Sequence, residues 1–256
     1  MEKHEVLKQL VDMSHYLGDP SRTFAILGEG NTSARIDADT MYVKASGTCL
    51  ATMGETDFLE VSISRATEIL DDMNAGDADV AAALRASLCD PSEKRMPSVE
   101  TMMHALLYRH YPEYGFIGHT HPVSTNALMC SIHAQEAAMG RLCPDHIVVM
   151  GHKSVFVPYV DPGLVLAREV RERVARYVEE EGVLPKAMLL ENHGLFSLGA
   201  TAKAVMNITE MAEKMSKILL GAYSAGGPRF MSGADIRRID TRPDEKYRQN
   251  TLGQEK

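Results

Sequence analysis

The 256-residue chain is 45% hydrophobic and 24% charged and has a formal net charge of −8, a size and balance that support one large domain or two small ones and argue against a nucleic-acid footprint. No apolar run is long enough to span a bilayer, and the charged opening MEKHEVLKQLVDMSHYLG has no signal-peptide core. The four cysteines, Cys49, Cys89, Cys130 and Cys143, form no C-x-x-C pair and suggest no disulfide framework, so reduced thiols and a cytoplasmic location are expected.

In chain order, the opening segment is predicted as an amphipathic helix with Val6, Leu10, Met13 and Leu17 along one stripe. ILGEGNTSARIDADTMYVKASG predicts two short strands, near 33–37 and 40–45, joined by the polar turn DADT. SISRATEILDDMNAGDADVAAALRASL is expected to form two helices divided at Gly76, followed by a loop at CDPSEKRMP. SVETMMHALLYRH is helical, with Ser98 as its N-cap. YGFIGHT reads as a strand that Pro122 ends, and HIVVMGHKSVFVPYV predicts two strands from its β-branched alternation. DPGLVLAREVRERVARYVEEEG is a helix, because Leu164, Ala167, Val170, Val174 and Val178 recur at helical spacing and Gly182 suits its end. AMLLENHGLFSLG predicts two strands around a turn at Asn192–Gly194, and AKAVMNITEMAEKMSKILLGAYSAGG closes the body as a long helix. Strands lie between helices throughout, so the class is α/β, with one domain over 1–226 and a polar C-terminal extension or oligomer contact over 227–256.

His119 and His121 are separated by Thr120 alone. On a strand, alternate side chains share a face, so both rings aim the same way, either at a shared metal or by chance, and Thr120 takes the opposite face. His193, after an apolar strand and before a glycine, offers a third imidazole, and three histidines with an open position are a standard catalytic zinc set. Glu100, in the first turn of its helix, either complements the helix N-terminus or serves as a general base or a displaceable ligand. His104 lies four residues on, on the same face, where it can orient or screen Glu100. In GEGNTSAR and VKASG, Gly28 and Gly30 permit close backbone approach, Asn31, Thr32, Ser33 and Ser46 offer neutral donors, and Lys44 adds a positive charge. Such a set suits a phosphate or carboxylate, with a plain turn before a strand as the alternative. G-x-G-N is not the dinucleotide fingerprint, which needs a third glycine and a following helix.

Taken in order, G-N-T-S, S-G, P-S-x-E, H-T-H and N-H-G-L resemble the class II aldolase/adducin family, from the first helix to about Ala222. YVKASGTCLATM, PSVETMMHALL and VPYVDPGLVLA are similar to the aldolase half of bifunctional rhamnulose-phosphate aldolase/short-chain dehydrogenase proteins, with the dehydrogenase half expected to be absent. The resemblance implies a three-layer α/β/α sandwich on a central, mostly antiparallel sheet. It implies a divalent metal, zinc first with Mn2+, Co2+ or Ni2+ as substitutes, held by His119, His121 and His193, with Glu100 as catalytic acid/base. Asn31, Ser46, Gly47 and Ser98 match the phosphate-binding positions, and Thr32 and Lys44 stand beside them as substrate-binding candidates. The implied partner is a small phosphorylated sugar, acted on by a homotetramer with active sites at subunit interfaces. The implied reaction cleaves a ketose 1-phosphate, rhamnulose- or fuculose-phosphate-like, to dihydroxyacetone phosphate and an aldehyde through an enediolate. Epimerase, decarboxylase or dehydratase chemistry on the same metal site is the alternative, and a non-catalytic adducin-like binding module is a further one. Two positions depart from the fuculose-phosphate pattern. Val99 stands where a second serine precedes the glutamate, and LCPDHIVVMGHK holds no tyrosine to act as the acid for the leaving alkoxide. His146 is the first candidate for that role, ahead of His152 and Tyr159.

Overall fold

The structure is a computed structural model that describes residues 2–254. Its elements are α1 (Lys3–Gly18), β1 (Asn31–Arg35), β2 (Thr40–Lys44), β3 (Phe58–Ser62), α2 (Ile63–Thr67), α3 (Asp77–Ser87), α4 (Thr101–His110) and β4 (Phe116–Thr120). They continue with α5 (Val123–Met129), α6 (Ala134–Met139), α7 (Pro144–Met150), β5 (Val155–Val157), α8 (Leu164–Glu181), β6 (Ala187–Leu190) and β7 (Gly194–Gly199). The last are α9 (Ala202–Ser224), α10 (Gly233–Thr241) and α11 (Pro243–Gln254). The strands form one sheet in the order β3-β2-β1-β4-β7-β6-β5. Every neighbouring pair is antiparallel except β5 with β6, which is parallel.

The sheet is covered on both faces, as the alternation of its strands requires. Ile117, Phe196 and Leu198 join a core with α2, α4 and α8. Phe116 packs with α1 and the start of α9, and Leu195 with α5 and the middle of α9. The result is a three-layer α/β/α sandwich. The α1 stripe of Val6, Leu10, Met13 and Leu17 is buried as its spacing anticipates, and each such side chain contributes roughly 1.5–3 kcal/mol of burial.

Several elements differ from the sequence expectation. HIVVM is the helix α7, not a strand. Pro144 occupies its first turn, Cys143 precedes it in an extended conformation, and Gly151 ends it at φ 79°. Burial of Ile147, Val148 and Met150 against the neighbouring helices overrides the β-branched propensity. FLEVS forms the edge strand β3, and VSTNALM and AQEAAM form α5 and α6, none of which the pattern announces. Pro122 does not merely end β4; it is the N-cap residue of α5. Helix α4 starts at Thr101 with Glu100 as its N-cap residue, while the Ser98 hydroxyl accepts the Glu100 N–H at 3.3 Å. Beyond Gly227, α10 and α11 pack on α7, and the Met231 N–H donates to the Arg141 carbonyl. Among the described residues, no helix is long and apolar enough to cross a membrane.

Candidate metal centre and active site

The end of β4 and the β6–β7 turn bring three imidazoles together. His119 and His121 project from the same face of the chain, and His193 enters from a turn in which Asn192 takes φ 51°. One nitrogen from each ring falls within 4.8 Å of the others. Nε2 of His119 and Nε2 of His121 lie 3.1 Å apart. The remaining nitrogen of each ring has its own partner: Nδ1 of His119 is 3.1 Å from the Leu195 carbonyl, and Nδ1 of His121 is 3.2 Å from Oε2 of Glu29. Both partners are acceptors, so each Nδ1 carries its proton and each Nε2 presents a lone pair. Two facing lone pairs at that distance repel unless a cation lies between them, so the donor set fits a divalent metal. Gly194 makes room for this packing, because a Cβ there would lie 2.6 Å from Cδ2 of His121 and 2.7 Å from the Thr120 carbonyl. Phe196, the cross-strand neighbour of His119, stacks on its ring with centroids 4.3 Å apart. Asn126 of α5 donates its side-chain amide to the His193 carbonyl at 2.9 Å and fixes the turn.

Glu100 faces this cluster. Its Oε1 is 2.9 Å from Nε2 of His193 and 3.4 Å from Nε2 of His119, and its Oε2 accepts from Nδ2 of Asn31 at 2.5 Å. Burial pushes the carboxyl up, whereas His119 and His193, when protonated, draw it down by charge and hydrogen bonding, and the net direction is well below the usual carboxylate range. Asn31 is opposite His119 in the β1–β4 register, which is what puts both at the same end of the sheet. Its Oδ1 lies 2.6 Å from Nε2 of His104, whose Nδ1 lies 2.7 Å from the Ser33 hydroxyl. Ser33 is in turn 3.0 Å from the Tyr108 hydroxyl. Burial above all lowers His104 to about 3, so its ring is neutral.

Three backbone segments meet beside Glu100. An antiparallel bridge between Ala45 and Pro97 sets Ser46 opposite Met96, whose carbonyl accepts the Ser46 N–H at 2.8 Å, and Lys44 opposite Ser98. Gly47 adopts φ 82°, a conformation that favours glycine. Gly28 sits against the carbonyls of Gly47 and Thr48, and Nζ of Lys44 donates to the Gly28 carbonyl at 3.1 Å. Burial lowers Lys44 from the ordinary lysine value, against the charges of Cys49 and Glu100. The candidate anion-binding residues Lys44, Ser46, Gly47 and Ser98 are therefore brought together.

Other candidates are not brought to this place. Thr32 points to the opposite face of β1, where its hydroxyl pairs with that of Ser14 at 2.7 Å. Asn31 commits both polar atoms of its side chain to Glu100 and His104, which makes it a support for the acid/base more than a free donor to phosphate. His146 is buried on α7 in an apolar cavity with Leu128, Met150 and Leu219, and its Nδ1 accepts the Leu142 N–H at 3.4 Å. Burial and the Arg141 charge hold it well below the ordinary histidine value. His152 sits between Glu181 at 2.9 Å and Asp240 at 3.6 Å. Tyr159 is exposed, and its N–H donates to Glu191, two residues before His193. Sequence reasoning passed over Glu29, Asn126 and Tyr108. Tyr108 had a legible signal, since it follows His104 by one helical turn.

A family model, "Class II Aldolase and Adducin N-terminal domain", matches residues 8–220. The chain belongs to the class II aldolase and adducin family. It is 29% identical over 212 residues to a methylthioribulose-1-phosphate dehydratase of Serratia proteamaculans, covering 78% of this chain and 86% of that protein. It is 28% identical over 238 residues to the uncharacterized oxidoreductase YuxG of Bacillus subtilis, covering 88% of this chain but 32% of that protein. The chain thus spans about a third of that relative's length, which matches only loosely the expected likeness to one half of a bifunctional protein. Among solved structures, an L-fuculose 1-phosphate aldolase superimposes with a TM-score of 0.69 at 21% identity, covering 97% of this chain and 98% of that one. The membership shows an enzyme superfamily and its fold; it leaves the reaction of this member to be argued from the site.

Proposed function

We propose that this chain is a metal-dependent lyase that cleaves a ketose 1-phosphate to dihydroxyacetone phosphate and an aldehyde. The observation that supports it most is Glu100 Oε1 set at 2.9 Å from His193 and 3.4 Å from His119, with its other oxygen held by Asn31. A divalent ion bound by His119, His121 and His193, zinc in the first instance, supplies Lewis acidity toward a ketone and its neighbouring hydroxyl. Cleavage breaks the C3–C4 bond. The bonding pair stays with C3 as an enediolate, the C4 hydroxyl gives up its proton, and C4 leaves as the aldehyde. Glu100 delivers a proton to C3, and removes one in the condensation direction. Proton loss and gain balance. The loops carrying Ser46, Gly47 and Ser98, with Lys44 beneath them, take the phosphate and orient the chain of carbons. His146, the first candidate acid for the leaving alkoxide, is enclosed in its apolar cavity, and the exposed Tyr159 turns its hydroxyl toward Asp161 at 3.4 Å. The family likeness favours a homotetramer in the cytoplasm, and the exposed Leu27 and Ile132 give apolar surface for assembly.

A second reading is β-elimination, in which Glu100 removes the C3 proton and the C4 hydroxyl leaves as water. The likeness to the Serratia dehydratase favours it. Zinc-loaded protein should be incubated with fuculose 1-phosphate, rhamnulose 1-phosphate and methylthioribulose 1-phosphate, and the products identified. Release of dihydroxyacetone phosphate supports cleavage. Loss of water with the carbon chain intact replaces it by the second reading.

A further inference from the structure

We infer that His104 is a positioning residue, the central link of a one-way hydrogen-bonded chain from Tyr108 through Ser33 and Asn31 that sets the orientation of the Glu100 carboxylate. The inference rests on Glu100 being the acid/base of the site. Its geometry comes from two repeats facing each other. Glu100, His104 and Tyr108 recur at one-turn spacing along the start and body of α4, and Asn31 and Ser33 share one face of β1. The side chains interleave: Glu100 to Asn31 at 2.5 Å, Asn31 to His104 at 2.6 Å, His104 to Ser33 at 2.7 Å, Ser33 to Tyr108 at 3.0 Å. His104, Ser33 and Tyr108 are fully buried.

The direction of the protons follows from one fixed end. The Glu100 carboxylate only accepts, so Asn31 donates from Nδ2 and turns Oδ1 toward His104. His104 must then carry its proton on Nε2, and its bare Nδ1 accepts from the Ser33 hydroxyl. Ser33, its own proton spent, accepts from Tyr108, for which the alternative acceptor, the Gly115 carbonyl, is farther at 3.4 Å. Every member thus has one arrangement, and a carboxylate fed by it cannot rotate without breaking the chain. Oε2 is tied back and Oε1 is left facing the imidazoles. Phe196 couples the two halves of the site, because its ring lies 4.3 Å from that of His119 and 5.4 Å from that of His104.

A core-filling role would be served equally well by leucine. An orienting role would not, and it would be restored by glutamine, whose amide can donate to Asn31. The test compares zinc-loaded wild type, His104→Leu, His104→Gln and Ser33→Ala by exchange of the C3 protons of dihydroxyacetone phosphate in deuterated water. His104→Leu should slow saturated exchange by about 10- to 100-fold. Zinc content and the half-saturating concentration of dihydroxyacetone phosphate should be unchanged in that variant. His104→Gln should recover most of the rate, and Ser33→Ala should fall between. Equal rates in wild type and His104→Leu, or no difference between the leucine and glutamine variants, overturn the inference. The chain has a readout that needs no turnover: 15N NMR of histidine-labelled protein should find His104 as the Nε2–H tautomer, and an Nδ1–H tautomer overturns it. If wild type exchanges no protons while His104 is Nε2–H, the chain stands and the acid/base reading of Glu100 fails.

Discussion

Nε2 of His193 lies 2.9 Å from Oε1 of Glu100, joining the β6–β7 turn to the start of α4. Neither residue reaches the other through local structure. The sheet order sets β7 beside β4 and β4 beside β1, and Asn31 at the end of β1 then holds the far oxygen of the same carboxylate. The site is a product of topology, and its consequences can be measured.

The first concerns the metal. Protein purified without chelator should hold about one divalent ion per chain, since three imidazoles with an open position make a catalytic-type site. His119→Ala should lower that content to near zero while the chain stays folded. Elemental analysis alongside circular dichroism checks both.

Gly194 sets the clearance for the rings. A methyl group there would lie 3.0 Å from Cε1 of His119 and closer still to His121 and the Thr120 carbonyl. Gly194→Ala should therefore cost about 1–3 kcal/mol of stability through overpacking. It should also weaken zinc binding by about 10- to 100-fold through displaced ligands. Chemical denaturation and a competitive zinc titration measure the two effects separately.

Thr32 separates fold from function. Its hydroxyl serves α1 through Ser14, not the site. Thr32→Val should lower stability by about 1 kcal/mol and leave kcat and KM unaltered. Steady-state kinetics beside a denaturation curve test this.

The acid side of the stability profile has a definite sign. His104 takes its proton near 3 in the fold and near its ordinary 6.5 when unfolded, because burial penalises the charged ring. His146 is shifted the same way, by burial and then by Arg141. Between those values the unfolded chain holds the additional protons, so stability is complete above 6.5 and declines as pH falls. His104 contributes a slope of up to about 1.4 kcal/mol per pH unit in that window, and His146 adds to it in the same direction. Guanidinium unfolding between pH 4 and 7 measures it, and His146→Met should remove the share of one proton.

Periodicity made the buried stripe of α1, the long helices α8 and α9, and the β6–β7 hairpin legible, because each buries one regular face. It failed at HIVVM, where proline, the turn at Gly151 and packing on neighbouring helices outvoted a β-branched run. It also failed at FLEVS, too short to carry a pattern. The three histidines and Glu100 were legible as residue types in order. Their supports were less so: Glu29 meets His121 only through the loop that leads into β1, and Asn126 meets His193 only because α5 folds back over the turn. Thr32 and His146 looked suitable by type and place, yet strand alternation turned one away and helix burial enclosed the other.

The most direct test of the account is proton exchange at C3 of dihydroxyacetone phosphate, followed by NMR in deuterated water, with zinc-loaded wild type and Glu100→Gln side by side. The account predicts exchange by wild type and a rate about 10²- to 10⁴-fold lower in Glu100→Gln at equal zinc content. Exchange at the wild-type rate in Glu100→Gln, or none in zinc-loaded wild type, would contradict it.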